Sequence, residues 1–369
     1  MNTKKSTNIA DTENRLRVGI SIGDLNGVGM EIIIKTFLDP RMLEVCTPLI
    51  YGSAKTASFH KKFLNAGEFN FNIIKEASQA VELKANLVNC WEEEVKIELG
   101  IPTEIAGRYA FKSLEAATLD LASNKIDVLV TAPINKNTIN SASFPFKGHT
   151  EYLASFAGTE NYLMILTSEN PAHGQSGIKV GTVTGHIPLK DVAGSISVEK
   201  ILDKLRTFNK SLIQDFGINK PKIAVLGLNP HAGDKGLLGT EEQQIIIPAI
   251  EKAKAEKIMV IGPYAADGFF GSSTYFSFDG ILSMYHDQGL IPFKTISFNE
   301  GVNYTAGLPI VRTSPDHGVA YDIAGKNLAS ESSFRHAVYL ACDIYQKRRE
   351  HKRNTANPLK GNNVGKEGG

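Results

Sequence analysis

Apolar and polar positions along this chain change period repeatedly, and the changes predict alternating strands and helices. Residues 16–22 alternate as a half-buried strand does; a glycine-containing turn at 23–29 then leads into a helix over 30–37. A short apolar run at 48–51 predicts a strand and 54–64 a helix, with further strands at 69–74 and 86–90. From 103 to 123, Ala106, Tyr109, Ala110, Leu114, Ala117 and Leu121 recur at helical spacing. The run 127–131 reads as a buried strand stopped by Pro133. Beyond it come a helix at 150–156, strands at 162–166 and 178–183, and a helix at 197–215 with Ser195 and Ser197 as candidate caps. A strand at 222–228, a helix at 241–255, strands at 258–261 and 279–284 and a last helix at 332–347 complete the series. Such alternation predicts an α/β protein built from parallel βαβ units. The Thr/Asn/Lys-rich residues 1–14 and the Lys/Asn/Gly-rich residues 350–369 are expected to be disordered.

Three of the predicted strands end just before a histidine. The strand at 178–183 leads through Thr184-Gly185 to His186, the one at 222–228 through Asn229-Pro230 to His231, and the one at 279–284 through Tyr285 to His286. In α/β proteins ligands collect outside the carboxyl ends of the strands. Three imidazoles brought to one such edge would form the three-ligand shell of a catalytic metal with open positions. Neutral imidazole suits zinc, cobalt, nickel or ferrous iron better than magnesium. The separations of 45 and 55 residues match no local zinc motif, so assembly has to come from the fold.

Other groups surround this set. His149, in Lys147-Gly148-His149-Thr150-Glu151, stands where a helix begins, and Lys294, Asn303 and Arg312 follow at nine-residue intervals. With the first-turn amides of that helix they would cradle a phosphate; they read equally well as scattered surface cations. Asp267 and Asp287 offer carboxylates that would orient an imidazole or accept from a substrate amine, or serve as caps or solvated groups. His60, His173, His336 and His351 read as surface or packing residues. The turn at 23–29 has glycines at 23, 27 and 29, which is not G-x-G-x-x-G. A dinucleotide role there competes with a tight strand-to-helix turn needing positive φ, and Asp24 at the strand's end would face the cleft.

Composition narrows the class. A chain of 369 residues with 42% hydrophobic and 21% charged residues allows two domains or one large α/β unit with a substantial core. A formal charge of +1 gives no broad field for nucleic acid or a membrane, whereas a small anion needs only a few placed cations. Cys46, Cys90 and Cys342 lie far apart without a CxxC and are expected to be reduced, buried thiols of a cytoplasmic protein. Residues 1–17 lack an apolar leader core and no run is long enough to span a bilayer, so neither a secretory signal nor a membrane anchor is expected.

Several longer motifs carry a resemblance. Lys147-Gly148-His149-Thr150-Glu151, Asn229-Pro230-His231-Ala232-Gly233, Met284-Tyr285-His286-Asp287-Gln288-Gly289, Gly301-Val302-Asn303 and Gly307-Leu308-Pro309-Ile310-Val311-Arg312-Thr313-Ser314 resemble the 4-hydroxythreonine-4-phosphate dehydrogenase family, over nearly the whole folded chain. The stretch His317-Gly318-Val319-Ala320-Tyr321-Asp322-Ile323-Ala324-Gly325-Lys326 is similar to the cofactor loop of the isocitrate and isopropylmalate dehydrogenases, which share that fold. One departure is Leu25, where the family usually has proline after the acidic residue.

The resemblance implies a two-domain isocitrate/isopropylmalate dehydrogenase-like fold with a mostly parallel sheet and a central cleft. The cofactor-side domain is expected to be discontinuous, 15–135 plus 305–349, around a metal, substrate and dimerisation domain at 136–304. His186, His231 and His286 match the metal ligands, with zinc first and cobalt or magnesium as alternatives. His149, Thr150, Lys294, Asn303 and Arg312 match substrate-binding positions, and Asp267 and Asp287 acidic positions near the substrate amine. His317, Gly318, Asp322 and Gly325 match the cofactor loop, and Lys294 and Asp287 are the catalytic candidates. The implied reaction is metal-dependent oxidation of 4-phosphohydroxy-L-threonine at C3 by NAD or NADP. Decarboxylation to 3-amino-2-oxopropyl phosphate follows, in pyridoxal 5'-phosphate biosynthesis. The implied assembly is a homodimer in which one of the three histidines comes from the partner. Dehydrogenation of threonate or erythronate 4-phosphate is the alternative within the fold, and non-catalytic binding of a phosphometabolite the alternative outside it.

Overall fold

The computed structural model describes residues 15–64, 66–140, 143–169 and 177–356. Among these, twelve strands form one sheet: β1 Arg17–Ser21, β2 Thr47–Gly52, β3 Asn72–Ile74, β4 Asn86–Asn89, β5 Val128–Thr131, β6 Leu163–Thr167, β7 Lys179–Thr182, β8 Lys222–Leu226, β9 Met259–Tyr264, β10 Gly280–Ser283, β11 Val302–Ala306 and β12 Arg312–Pro315. Their order is β3-β4-β2-β1-β5-β12-β11-β6-β7-β10-β8-β9. The first six in that order run parallel, with Val18 opposite Val128 and Thr313 opposite Val130. β7, β10, β8 and β9 form a second parallel block.

Between the blocks, β11 pairs antiparallel with β12 and with β6, and β6 antiparallel with β7. Alternation predicted parallel βαβ units in a mostly parallel sheet, and most pairs are parallel. Connection length explains the exception: residues 307–311 join β11 to β12 and residues 168–178 join β6 to β7, both too short for the crossover that brings a strand back parallel. Neither β11 nor β12 was marked by the hydropathy pattern, because Asn303, Thr305, Arg312 and Thr313 place polar side chains in them.

Side-chain caps begin two of the longer helices. Thr103 Oγ1 accepts from Ala106 N at 3.2 Å and begins the helix Glu104–Ala122; Ser197 Oγ accepts from Lys200 N at 3.1 Å and begins Val198–Gln214. Ser195 instead ends the short helix Val192–Ser195. The strand expected at 69–74 begins only at Asn72. The final helix, Ser332–Ala356, outruns its expected end. Residues 350–356 are therefore helical, since the segment has no glycine or proline and Lys347 pairs with Glu350 one turn on at 3.3 Å. Residues 1–14 and 357–369, expected to be disordered, lie outside the described residues, as does His173.

The turn after β1 is a backbone device. Gly23 has φ +70°, and a Cβ there would stand 2.2 Å from the Pro133 carbonyl oxygen. Asp24 does not face the cleft. It is buried, accepts from Asn26 N and Tyr321 Oη at 2.9 Å and from Thr138 Oγ1 at 3.3 Å, and burial raises its pKa. One apolar cluster runs from Val18 and Val130 in the first block to Val225 and Leu282 in the second, so the core is continuous across the junction. No helix among the described residues is long and apolar enough to cross a membrane. All three cysteines are free, with Cys46 and Cys342 buried.

Candidate functional site

A cleft of about 580 Å³ opens where the two blocks meet. The carboxyl end of β5 with the residues after it (131–134) and that of β12 with the residues after it (314–318) form one wall, and β6 with the end of β7 and the residues after it (182–187) forms the other. The helix His286–Ile296 contributes His286, Leu290 and Lys294, three positions four residues apart and hence on one helical face. The helix His149–Phe156 points its first turn, including His149, Thr150 and Glu151, into the same space.

Arg312 is the first residue of β12 and is 3% exposed. Its Nε and Nη2 donate to Thr131 Oγ1 at 3.1 and 2.6 Å, and Nη1 to Thr305 Oγ1 at 3.4 Å. Burial pulls its pKa down to about 10, with Glu151 opposing. It forms no ion pair among the described residues, and an uncompensated buried charge costs several kcal/mol, of order 3–5. Beside it, His149 is half-buried, its Nε2 is buried with no partner among the described residues, and burial, then Arg312 and Lys136, hold its pKa well below the usual histidine range. A neutral imidazole and a buried guanidinium facing one space suit an anion. Asn303 on β11 also lines the cleft, and its Oδ1 has no partner among the described residues.

Two of the three strand-end histidines come together. The rings of His186 and His286 lie 5.2 Å apart between centroids. His286 Nδ1 is 2.7 Å from Asp287 Oδ1, which can only accept, so Nδ1 donates, and in the neutral ring Nε2 would keep its lone pair. Lys136 Nζ approaches His186 Nε2 at 3.4 Å, and burial, then Lys136 and His286, lower the His186 pKa. His231 does not join them. It is exposed, does not line the cleft, and belongs to a loop in which residues 231–235 all have positive φ. Glu242 anchors that loop, accepting from the Leu228 and Asn229 amides at 2.8 Å each. Among the described residues no three His, Cys, Asp or Glu side chains group as a metal cage.

Other expected positions divide. His317 and Gly318 line the cleft, and His317 Nε2 is buried without a partner among the described residues. Asp322 is exposed outside it, and Gly325, at φ +75°, packs against Leu99. Asp267 is exposed in the first turn of Ala266–Gly271 and does not line the cleft of this chain. Asp287 is 70% exposed and bears on the site through His286. Lys136, Glu151, Lys200, Lys204 and Asp316 were not singled out, yet all line the cleft. Lys136 was detectable, since it lies just beyond the carboxyl end of β5, where ligands collect.

The fold and cleft define a class: an α/β protein of isocitrate dehydrogenase-like architecture with a cation-lined cleft between its blocks. The isocitrate dehydrogenase from Methylococcus capsulatus shares this fold at a TM-score of 0.50 and 10% identity, over 92% of this chain and 89% of that one. Family comparison is more specific. The family described as pyridoxal phosphate biosynthetic protein PdxA matches residues 44–341. A 4-hydroxythreonine-4-phosphate dehydrogenase from Bacteroides thetaiotaomicron is 53% identical over 348 residues, covering 94% of each chain. The crystal structure of a 4-hydroxythreonine-4-phosphate dehydrogenase from Klebsiella pneumoniae superposes with a TM-score of 0.74 at 32% identity, covering 90% of this chain and all of that one. The chain belongs to the PdxA family of pyridoxal phosphate biosynthesis.

Proposed function

We propose that the chain oxidises 4-phosphohydroxy-L-threonine at C3 with NAD or NADP, and that the resulting β-keto acid loses CO₂ to give 3-amino-2-oxopropyl phosphate. The carrying observation is Arg312, a buried guanidinium without an ion-pair partner among the described residues, beside the unpartnered His149 Nε2. Arg312, His149, Thr150 and Asn303 bind the phosphate and so fix the distance from it to C3. Lys294 stands in the same cleft as a proposed substrate contact, and in its neutral amine form it would accept the C3 hydroxyl proton.

The donor set fits a borderline divalent cation, zinc first and cobalt next, with magnesium the poorer match to imidazole: two imidazoles are adjacent and one has its tautomer set by a carboxylate. His186, His286 and His231 would hold it, in a homodimer whose second copy completes the shell, because only two of the three flank the cleft within one chain. Such a cation supplies Lewis-acid polarisation of a substrate oxygen. The nicotinamide supplies hydride acceptance, and His317 and Gly318, with Asp322 and Gly325 of the same loop, are the residues proposed to hold the dinucleotide.

A second reading, oxidation of threonate or erythronate 4-phosphate, draws on Asp267 and Asp287 lying outside the cleft of one chain, which leaves the substrate amine without them. Both readings are tested by following nicotinamide reduction with each phosphorylated substrate, before and after chelation and with divalent metal restored. Reduction by the amino-acid phosphate at least tenfold faster than by the sugar-acid phosphates is expected. No reduction with any of them under any metal condition would refute the dehydrogenase reading.

A further inference from the structure

Asp316 lines the cleft four residues beyond Arg312, and its side chain is 14% exposed. Burial pushes its carboxyl up, and Lys294 is the strongest influence holding it down. The Lys294 ammonium donates to the Asp316 carbonyl oxygen at 3.1 Å and lies 3.6 Å from Oδ1. Of the cleft cations Lys136, Lys147, Lys200, Lys204, Lys294 and Arg312, Lys294 is the one that forms an ion pair among the described residues. Lys200 and Lys204 donate to the carbonyls of Ser195 and Tyr162 instead.

The slot that receives the carboxylate depends on Gly301. Asp316 N donates to the Gly301 carbonyl at 3.2 Å. A Cβ at 301 would stand 3.1 Å from both Cβ and Oδ2 of Asp316 and 3.0 Å from Cε1 of Phe293. A side chain there would have to displace either the carboxylate or a fully buried ring. Gly301 therefore leaves room for a carboxylate that meets Lys294 coming from the opposite element, the helix His286–Ile296.

We propose that Asp316 is a positioning residue, whose carboxylate, seated in the slot left by Gly301, holds the flexible Lys294 side chain aimed into the cleft. The proposal rests on the reading of Lys294 as a substrate contact. A long ammonium side chain samples many rotamers, and a fixed carboxylate and carbonyl pair selects among them. Asp316 thereby couples the end of β12, which carries Arg312, to the helix that carries Lys294 and His286.

The test is a cycle of wild type, Asp316→Asn, Lys294→Met and the double variant, read as kcat and KM for 4-phosphohydroxy-L-threonine, with thermal midpoints measured alongside. Asp316→Asn is expected to lower kcat/KM about tenfold in the wild-type background and less than about twofold in the Lys294→Met background. Gly301→Ala, which keeps the aspartate but crowds its slot, is expected to show the same dependence on Lys294, and it carries the test if Asp316→Asn does not fold. Equal losses in both backgrounds would mark a general structural role and overturn the proposal. So would full activity of Asp316→Asn beside a crippled Lys294→Met. Full activity of Lys294→Met would instead sink the reading of Lys294 itself, and the proposal with it.

Discussion

Nη2 of Arg312 lies 2.6 Å from Oγ1 of Thr131, so a hydroxyl on β5 aims the guanidinium of its neighbour β12 into the cleft. Two neutral hydroxyls orient this cation without neutralising it. Arg312→Ala is expected to lower kcat/KM for phosphorylated substrate by roughly 100-fold, about 2.7 kcal/mol, within the range of a buried charge-assisted contact. Thr131→Val should move it in the same direction by about tenfold. The ratio of kcat/KM for phosphorylated and unphosphorylated substrate checks both, and an unchanged ratio in Arg312→Ala would remove the phosphate role.

Asp287 sets the tautomer of His286 from outside the cleft. Asp287→Ala is expected to weaken divalent-metal binding by about 10- to 100-fold with little effect on the fold, because the carboxylate is 70% exposed. His231→Ala should abolish tight metal binding and activity while leaving the circular dichroism spectrum unchanged. Equilibrium dialysis against zinc measures both effects.

His60 is a buried packing residue, its Nε2 3.0 Å from the Leu25 carbonyl oxygen. Burial lowers its pKa to about 4. The folded protein therefore keeps this ring neutral while the unfolded chain protonates it near pH 6.5. Its contribution to stability is whole above that pH and is lost as pH falls toward 4, by roughly 1.4 kcal/mol per pH unit within the window. Urea unfolding at pH 7, 6 and 5 should show His60→Gln losing less stability on acidification than wild type. Parallel losses in the two proteins would contradict this origin.

Gly23→Ala places a Cβ against the Pro133 carbonyl at a residue already at φ +70°. The left-handed conformation costs an L-residue about 1–2 kcal/mol, and the crowding adds about 1–3 kcal/mol. A loss of roughly 3 kcal/mol in denaturant unfolding is expected. A loss below about 0.5 kcal/mol would show that the turn relaxes freely.

The candidate site was legible where motif and strand end coincide. His186, His286, His149, Lys294, Asn303 and Arg312 were all named from sequence, and all line one cleft. Asp316 was not singled out because one carboxylate next to a histidine carries no periodic or spacing signal. Its meaning comes from Gly301 and Lys294, 15 and 22 residues away along the chain. His231 shows the converse: its motif was plain, yet its loop leaves it outside the cleft of a single chain.

The sequence by itself determined the alternating elements, the helix starts at Thr103 and Ser197, the positive-φ turn at Gly23 and the family, because these rest on local backbone preference, hydropathy period and contiguous motifs. Tertiary structure alone decided the antiparallel junction through β11, β6 and β7, the burial of Arg312 and of His149 Nε2, and the meeting of Lys294 with Asp316. Those features depend on which distant strands become neighbours and which charges lose water in the process. That outcome is set by the packing of the whole sheet and is written in no single stretch of the chain.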